Sequence, residues 1–207
     1  MSSIKLTADT GGGTFELKAP ASGSNVRVLT VPDSANGTIL TTTNPKAGNI
    51  LQVAQAIKTD TQTQTNTTTF LAVSGMTVSI TPSSSSNKIL VQGKVSIGGS
   101  SETDRSGFRL VRMVSGASDV YPFVADAVGS RARFTSGPTG SYNQFQNTVV
   151  ETPFFFLDSP STTSAVSYKI ECYHAAGNLF INRSSEDQDS ANNGRGTSVI
   201  VAMEVAV

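Results

Sequence analysis

The feature that most constrains the fold of this chain is a cadence of short alternating segments broken by turn residues. No segment carries a helical 3.6-residue period between caps. Thr77-Val78-Ser79-Ile80-Thr81 alternates strictly, and a Ser-rich turn over residues 82–87 separates it from a long strand over 88–97 that ends at Gly98-Gly99. Next, Phe108, Leu110 and Arg112 point one way and Arg109, Val111 and Met113 the other. Residues 131–135 are a further strand candidate. The run 149–157 carries Phe154-Phe155-Phe156, which a strand covered on both faces would take. Residues 166–174 alternate, and Ala176-Gly177 reads as a hairpin turn into a short strand over 178–182. Residues 50–57 fit a strand or a short helix; their β-branched side chains and the Thr-rich run after them favour the strand. Residues 59–69 read as an extended edge or a loop. This cadence predicts an all-β chain folded as a β-sandwich or jelly roll.

The closing segment, 198–207, sharpens that expectation. Val199, Val201, Met203 and Val205 share one strand face; Ile200, Ala202, Glu204 and Ala206 share the other. Both faces are largely apolar, and chain ends fray unless a sheet ties them down. A central strand packed on both sides follows, with Val199, Val201, Met203 and Val205 as candidates to line a subunit axis.

Residues 1–45 behave differently. Ile4-Lys5-Leu6, Phe15-Glu16-Leu17 and Val28-Leu29 are short strand candidates separated by Gly-, Pro- and Asn-rich turns. They hold too little apolar side chain to close a core. Such a segment gains burial against copies of itself or against another protein, so Ile4, Leu6, Phe15, Leu17, Val28 and Leu29 are candidate docking residues. Asn44-Pro45-Lys46-Ala47-Gly48-Asn49 marks a boundary. The expected organisation is a docking arm or stalk over 1–45 and a sandwich head over 46–207.

Charge narrows the partners. The 15 basic and 15 acidic residues cancel, and charged residues are only 14% of the chain, against about 25% in ordinary domains. Phosphate backbones demand a clustered positive field, so nucleic acid is not an expected partner. No run approaches the ~20 apolar residues of a membrane-spanning helix, and residues 1–30 lack the basic-then-apolar pattern of a secretory leader. Synthesis in a cytoplasm without membrane insertion is expected. Cys172, the single cysteine, allows no intrachain disulfide and reads as a buried inert thiol.

Catalytic and metal-binding chemistry finds little support. A Ser-His-Asp triad would have to use His174, the sole histidine, which ends an alternating strand and reads as structural or surface. Paired carboxylates for glycoside cleavage would come from Glu102, Asp104, Asp119, Asp126, Glu151, Asp158 and Glu171, most of them at turns or on exposed strand faces. Asp187 and Asp189 offer oxygen ligands, but without an EF-hand spacing; a loop pairing with Arg183 or Arg195 is the simpler reading. No enzyme, cofactor or metal is expected. Arg105, Arg109 and Arg112, or Arg131 and Arg133, with Tyr121, Tyr142 and Tyr173, offer a patch for acidic glycans; salt bridges to nearby carboxylates are the competing and favoured account.

Two sets of motifs carry a resemblance. Leu17-Lys18-Ala19-Pro20-Ala21, Gly23-Ser24-Asn25, Val31-Pro32-Asp33-Ser34-Ala35, Gly37-Thr38 and Leu40-Thr41-Thr42 occur in this order. The segment resembles the short N-terminal repeat of tailed-phage fibre proteins, with Val31 in place of the more usual Leu and Asn36 as an additional turn residue. The remainder is similar to the C-terminal β-domain of small virion proteins from marine phages, cyanophages included. It carries this on residues 78–91, Phe108-Arg109-Leu110-Val111-Arg112, Asp158-Ser159-Pro160, Ile181-Asn182-Arg183-Ser184 and Met203-Glu204-Val205. The resemblance implies a homotrimer with C1q/TNF-like jelly-roll heads and an extended N-terminal β arm. It implies a virion location with other virion proteins as partners, and host-surface attachment as tail fibre or tail tip, with host glycan a possible ligand. A trimeric capsid decoration protein is the alternative.

Overall fold

The computed structural model describes residues 45–65, 69–99, 106–137 and 148–207 in full, and residues 3–7 and 14–18 by their backbone. The chain divides into two compact units, Met1–Ile39 and Leu40–Val207. In the first, β1 (Ser3–Thr7) pairs antiparallel with β2 (Thr14–Lys18), so that Ile4 stands opposite Leu17 and Leu6 opposite Phe15. Four of the candidate docking residues are thus cross-strand partners. Val28 and Leu29 lie outside the described residues.

The second unit is built from β3 (Ile50–Lys58), β4 (Gln62–Thr65), β5 (Leu71–Ile80), β6 (Lys88–Gly99), β7 (Ser106–Val114), β8 (Val150–Asp158), β9 (Val166–His174), β10 (Asn178–Ile181) and β11 (Ser198–Val205). One sheet runs β3-β11-β6-β8, with β10 and β4 continuing it past the end of β11; the other runs β5-β9-β7. From β5 to β10 the chain changes sheet at every step. All described pairings are antiparallel. This is the topology of a jelly-roll β-sandwich. The long β6 serves two partners along one edge, β11 over Lys88 to Lys94 and then β10 over Ile97 to Gly99. Gly93 lets β11 approach closely, because a Cβ there would lie 2.0 Å from the Val199 carbonyl oxygen.

The core is the alternate residue set of both sheets. Ile89, Val91, Val95, Ile97, Phe154, Ile200 and Ala202 meet Val73, Met76, Val78, Ile80, Phe108, Leu110, Val166, Tyr168, Ile170 and Cys172. Three buried polar groups pin it. Asp158 at the end of β8 accepts both Arg112 Nη1 contacts (2.8 and 2.9 Å) and the Tyr168 hydroxyl (2.7 Å), tying one sheet to the other. Burial, then the Asp158 charge, pushes the Tyr168 phenol well up. Asn182, in the left-handed region at φ 62°, donates to the carbonyls of Lys58 and Asp60 (both 2.9 Å) and accepts from Ser198 Oγ at 2.7 Å. Glu204, on the inner face of β11, accepts from the Ser83 N–H and Oγ (both 2.7 Å) and Asn87 Nδ2 (2.6 Å) at Oε1, and from Gln52 Nε2 (2.5 Å) at Oε2.

Three expectations change. Ala176-Gly177 does not close a hairpin: both edges of β9 are taken by β5 and β7, so the turn at Gly177 (φ 71°) carries the chain to the other sheet, where β10 pairs with β4 and β6. Residues 131–135 form no strand. Arg131, Ala132 and Arg133 give the segment no apolar face to bury; it is held by Thr135, whose N–H donates to the Phe108 carbonyl and whose hydroxyl accepts from the Leu110 N–H. Together with paired bonds between Arg112 and Val120 (2.8 and 2.9 Å), it closes the open edge of β7 where a further strand would lie. Finally, Phe154 and Phe156 turn inward but Phe155 does not, and it is 71% exposed.

Candidate functional site

The two outer faces of the sandwich differ in chemistry. On β3-β11-β6-β8 the pairing register sets side chains in cross-sheet rows. Val53, Met203, Leu90 and Leu157 are successive partners; Gln55, Val201, Gln92 and Phe155 form the next row; Ile57, Val199, Lys94 and Pro153 the third. Strand alternation puts all of them on the side opposite the core. Val53 (60%), Ile57 (56%), Phe155 (71%) and Leu157 (44%) are open to solvent, while Val199, Val201, Met203 and Val205 are half-buried between their neighbours. The face is nearly neutral. Lys94 is ion-paired to Glu151 at its rim, and Lys88 stands beside Val205 at its end. Exposed apolar side chains gathered on one face are a feature of interaction surfaces. The sequence pointed to β11 alone. Glu151 and Pro153 share the parity of Phe155 and Leu157 along β8, and that parity was the signal that Phe155 and Leu157 stand on the outer face.

On β5-β9-β7 the outer face is covered by the segment 115–136. Arg109 lies there between two rings, its guanidinium carbon 3.9 Å from the centroid of Phe70 and 4.0 Å from that of Tyr121. It donates to Glu171 Oε2 from Nε (2.9 Å) and Nη2 (2.6 Å). Lys169 completes the group, 3.0 Å from Glu171 and 3.3 Å from Asp119; the hydrogen bond to Glu171 holds its ammonium above the usual range. Phe70 also packs on Tyr173 (5.3 Å) and Phe134 (5.8 Å). Beside this stack opens a cleft of about 250 Å³ lined by Phe70, Arg109, Tyr121, Val124, Ala132 and the exposed Arg131 and Arg133.

The arginines singled out in the sequence therefore separate. Arg109, Arg131 and Arg133 converge; Arg112 faces inward to Asp158; Arg105 and Tyr142 lie outside the described residues. Salt bridges do account for Arg109 and Arg112, as the competing reading expected. Among the described residues none accounts for Arg131 and Arg133, whose guanidinium groups contact the Val128 carbonyl (3.4 Å) and the Ala125 carbonyl (2.6 Å). Phe70 and Val124 carried no signal in the sequence, because only the fold brings them to these arginines.

Several other candidates have structural roles, and Asp126 and Asp189 are exposed. Asp158, Glu171, Glu151 and Asp119 are each engaged by a cation. Glu102 and Asp104 lie outside the described residues. His174 is buried at 1% exposure, with Nδ1 3.4 Å from the Ala176 carbonyl. Asp187 takes a two-point contact from Arg195 (2.8 Å each), which lowers its pKa. Among the described residues no group of His, Cys, Asp and Glu is arranged to hold a metal ion, and no helix is long and apolar enough to cross a membrane.

No protein-family profile matches the chain, and no curated protein does. Among solved structures, the chain is similar to the Eiger TNF of S. frugiperda, at 8% identity and TM-score 0.42 over 74% of this chain and 92% of that one. It is also similar to the infectious bursal disease virus Gt strain structure, at 13% identity and TM-score 0.40 over 98% of this chain, and to T=1 particles derived from infectious bursal virus, at 12% identity and TM-score 0.43. It spans under half of those viral chains, 47% and 45% respectively.

Proposed function

We propose that this chain is a structural protein of a tailed-phage particle that assembles as a homotrimer and serves host attachment at the tail, as a fibre or tail-tip component. The observation that carries the assembly is the neutral apolar face of β3-β11-β6-β8. Exposed apolar surface on one face of a sandwich supports a partner that covers it. Its lack of net charge suits a second copy of this chain better than a charged partner, and Val199, Val201, Met203 and Val205, in the middle of the face, are the residues we propose to line the threefold axis. Residues 1–45, with their resemblance to the fibre repeat, are the arm that docks on other virion proteins. The adhesive reading is non-enzymatic: many weak contacts add through repetition. Decoration of the capsid is the second reading, and the fold and symmetry would be the same.

Sedimentation equilibrium of the full chain is the test, with a mass three times 21.6 kDa expected. Phe155, 71% exposed, would bury an aromatic surface worth about 3 kcal/mol per subunit, so Phe155→Asp should yield single chains at micromolar concentration. A wild-type mass of one chain overturns the trimer, and a Phe155→Asp protein that keeps the trimer mass overturns this face as its interface. Antibody labelling of intact particles then separates tail from shell.

A further inference from the structure

We infer that the cleft between Phe70, Tyr121, Arg131 and Arg133 binds a carboxylate-bearing sugar ring. Arg109 and Lys169 are neutralised by Glu171 and Asp119, so the charge left over in the cleft is that of Arg131 and Arg133. Neither forms an ion pair with a described carboxylate; the Ala125 carbonyl holds Arg133 without discharging it, and Arg131 makes only a long contact to the Val128 carbonyl. Guanidinium groups recognise carboxylates through paired, charge-assisted hydrogen bonds. A bare anion would need nothing more, but the rest of the lining is aromatic and aliphatic: Phe70, Tyr121, Val124 and Ala132. Tyr121, stacked on Arg109 and 40% exposed, presents a fixed aromatic surface to the C–H face of a pyranose. At about 250 Å³ the cleft falls below the ~300 Å³ at which sites for drug-sized ligands begin, which limits the occupant to a single ring. Carboxylate at one end, ring on the aromatic side, describes a hexuronate residue. The inference deepens the adhesive reading and rests on it for the source of the sugar, a surface polysaccharide; the chemistry of the cleft stands without it.

Titration calorimetry of the full chain with methyl glucuronide, methyl glucoside and acetate tests it. The glucuronide is expected to bind at least tenfold tighter than either of the others, because only it uses both halves of the cleft. Arg131→Gln should weaken glucuronide binding roughly tenfold to a hundredfold, the value of a charge-assisted bond, with unchanged thermal stability. Tyr121→Ala should lose the preference for glucuronide over acetate. Arg133 also braces the loop, so Arg131→Gln, whose carbonyl contact is long, is the decisive variant. Equal binding of acetate and glucuronide, equal binding of the neutral glucoside, or an unaffected Arg131→Gln overturns the inference. The sedimentation mass is read on the same samples. Glucuronide binding by a single chain would sink the assembly and leave the cleft; a trimer that binds no glucuronide would do the reverse. A glucuronide-containing oligosaccharide that binds no worse than the monosaccharide supports a polymer as the source, and its exclusion from the cleft overturns that source.

Discussion

Replacing Glu204 with alanine removes the acceptor on which Ser83, Asn87 and Gln52 converge. Glu204 is fully buried, and Asn87 is 6% exposed, so the Asn87 amide loses its charged partner in a site that water reaches poorly. Ser83 and Gln52 are nearer the surface and can turn to solvent. The expected cost is about 2–3 kcal/mol, since the donors left behind are neutral and the main loss is the buried Asn87 amide's partner, worth roughly 1–3 kcal/mol, plus the cavity. Glu204→Gln keeps the shape and the Oε1 acceptor but sets an amide donor against Gln52 Nε2, and about 1–2 kcal/mol is expected. The pH dependence separates charge from shape. Burial by itself would raise the Glu204 pKa; the bonds from Asn87, Gln52 and Ser83 outweigh it and hold the carboxyl below its ordinary value of 4.5. A group whose folded pKa is depressed contributes fully above its unfolded pKa and loses that contribution as pH falls through the folded value. The gap between wild type and Glu204→Gln should therefore be constant from pH 7 to about 5 and close below about 4. Urea unfolding at one fixed protein concentration, which removes the assembly contribution from the comparison, reads it. A Glu204→Ala cost under about 1 kcal/mol, or a gap that widens on acidification, refutes the account.

Asn182 combines a left-handed backbone with side-chain bonds to Lys58, Asp60 and Ser198. Asn182→Gly keeps the backbone and loses the bonds, whereas Asn182→Ala also strains φ and should be less stable by a further ~1 kcal/mol; equal urea midpoints would contradict this. Cys172 is fully buried, and burial followed by the nearby Glu171 charge pushes its thiol pKa well up. Its reaction with a disulfide reagent should be limited by unfolding and become rapid in urea, and a fast native reaction would show the site to be open.

The strands were legible in the sequence where one face is apolar and the other polar, as along β5, or where a run is long and ends at glycine, as along β6. Their distribution between sheets was not. The turn at Gly177 has the chemistry of a hairpin, and only the occupied edges of β9 show why it crosses the sandwich. Phe154-Phe155-Phe156 misled because adjacent side chains of a strand always part company; a run of three cannot tell burial on both faces from one buried face and one interface. The β11 residues Val199, Val201, Met203 and Val205 were visible as a stripe, but the face they belong to includes Val53, Leu90, Phe155 and Leu157 from three other strands. The cleft gathers residues 70, 109, 121, 131 and 133, a set with no local spacing to read.

The two outer faces bear on each other through the geometry of a sandwich. The neutral face belongs to β3-β11-β6-β8, and the arginine cleft to the opposite sheet, outside β7 and β9. A trimer closed through the first face therefore turns the second away from its axis. Each head then presents one cleft outward, too small to hold more than a ring and so weak alone. Repetition turns such weak sites into firm adhesion when they engage one polymer together. The two proposals predict one joint result: Phe155→Asp should leave glucuronide affinity per chain unchanged while abolishing retention on a glucuronate-polymer surface. A variant that loses both together would mean that the cleft depends on the assembled face, contrary to their placement on separate sheets.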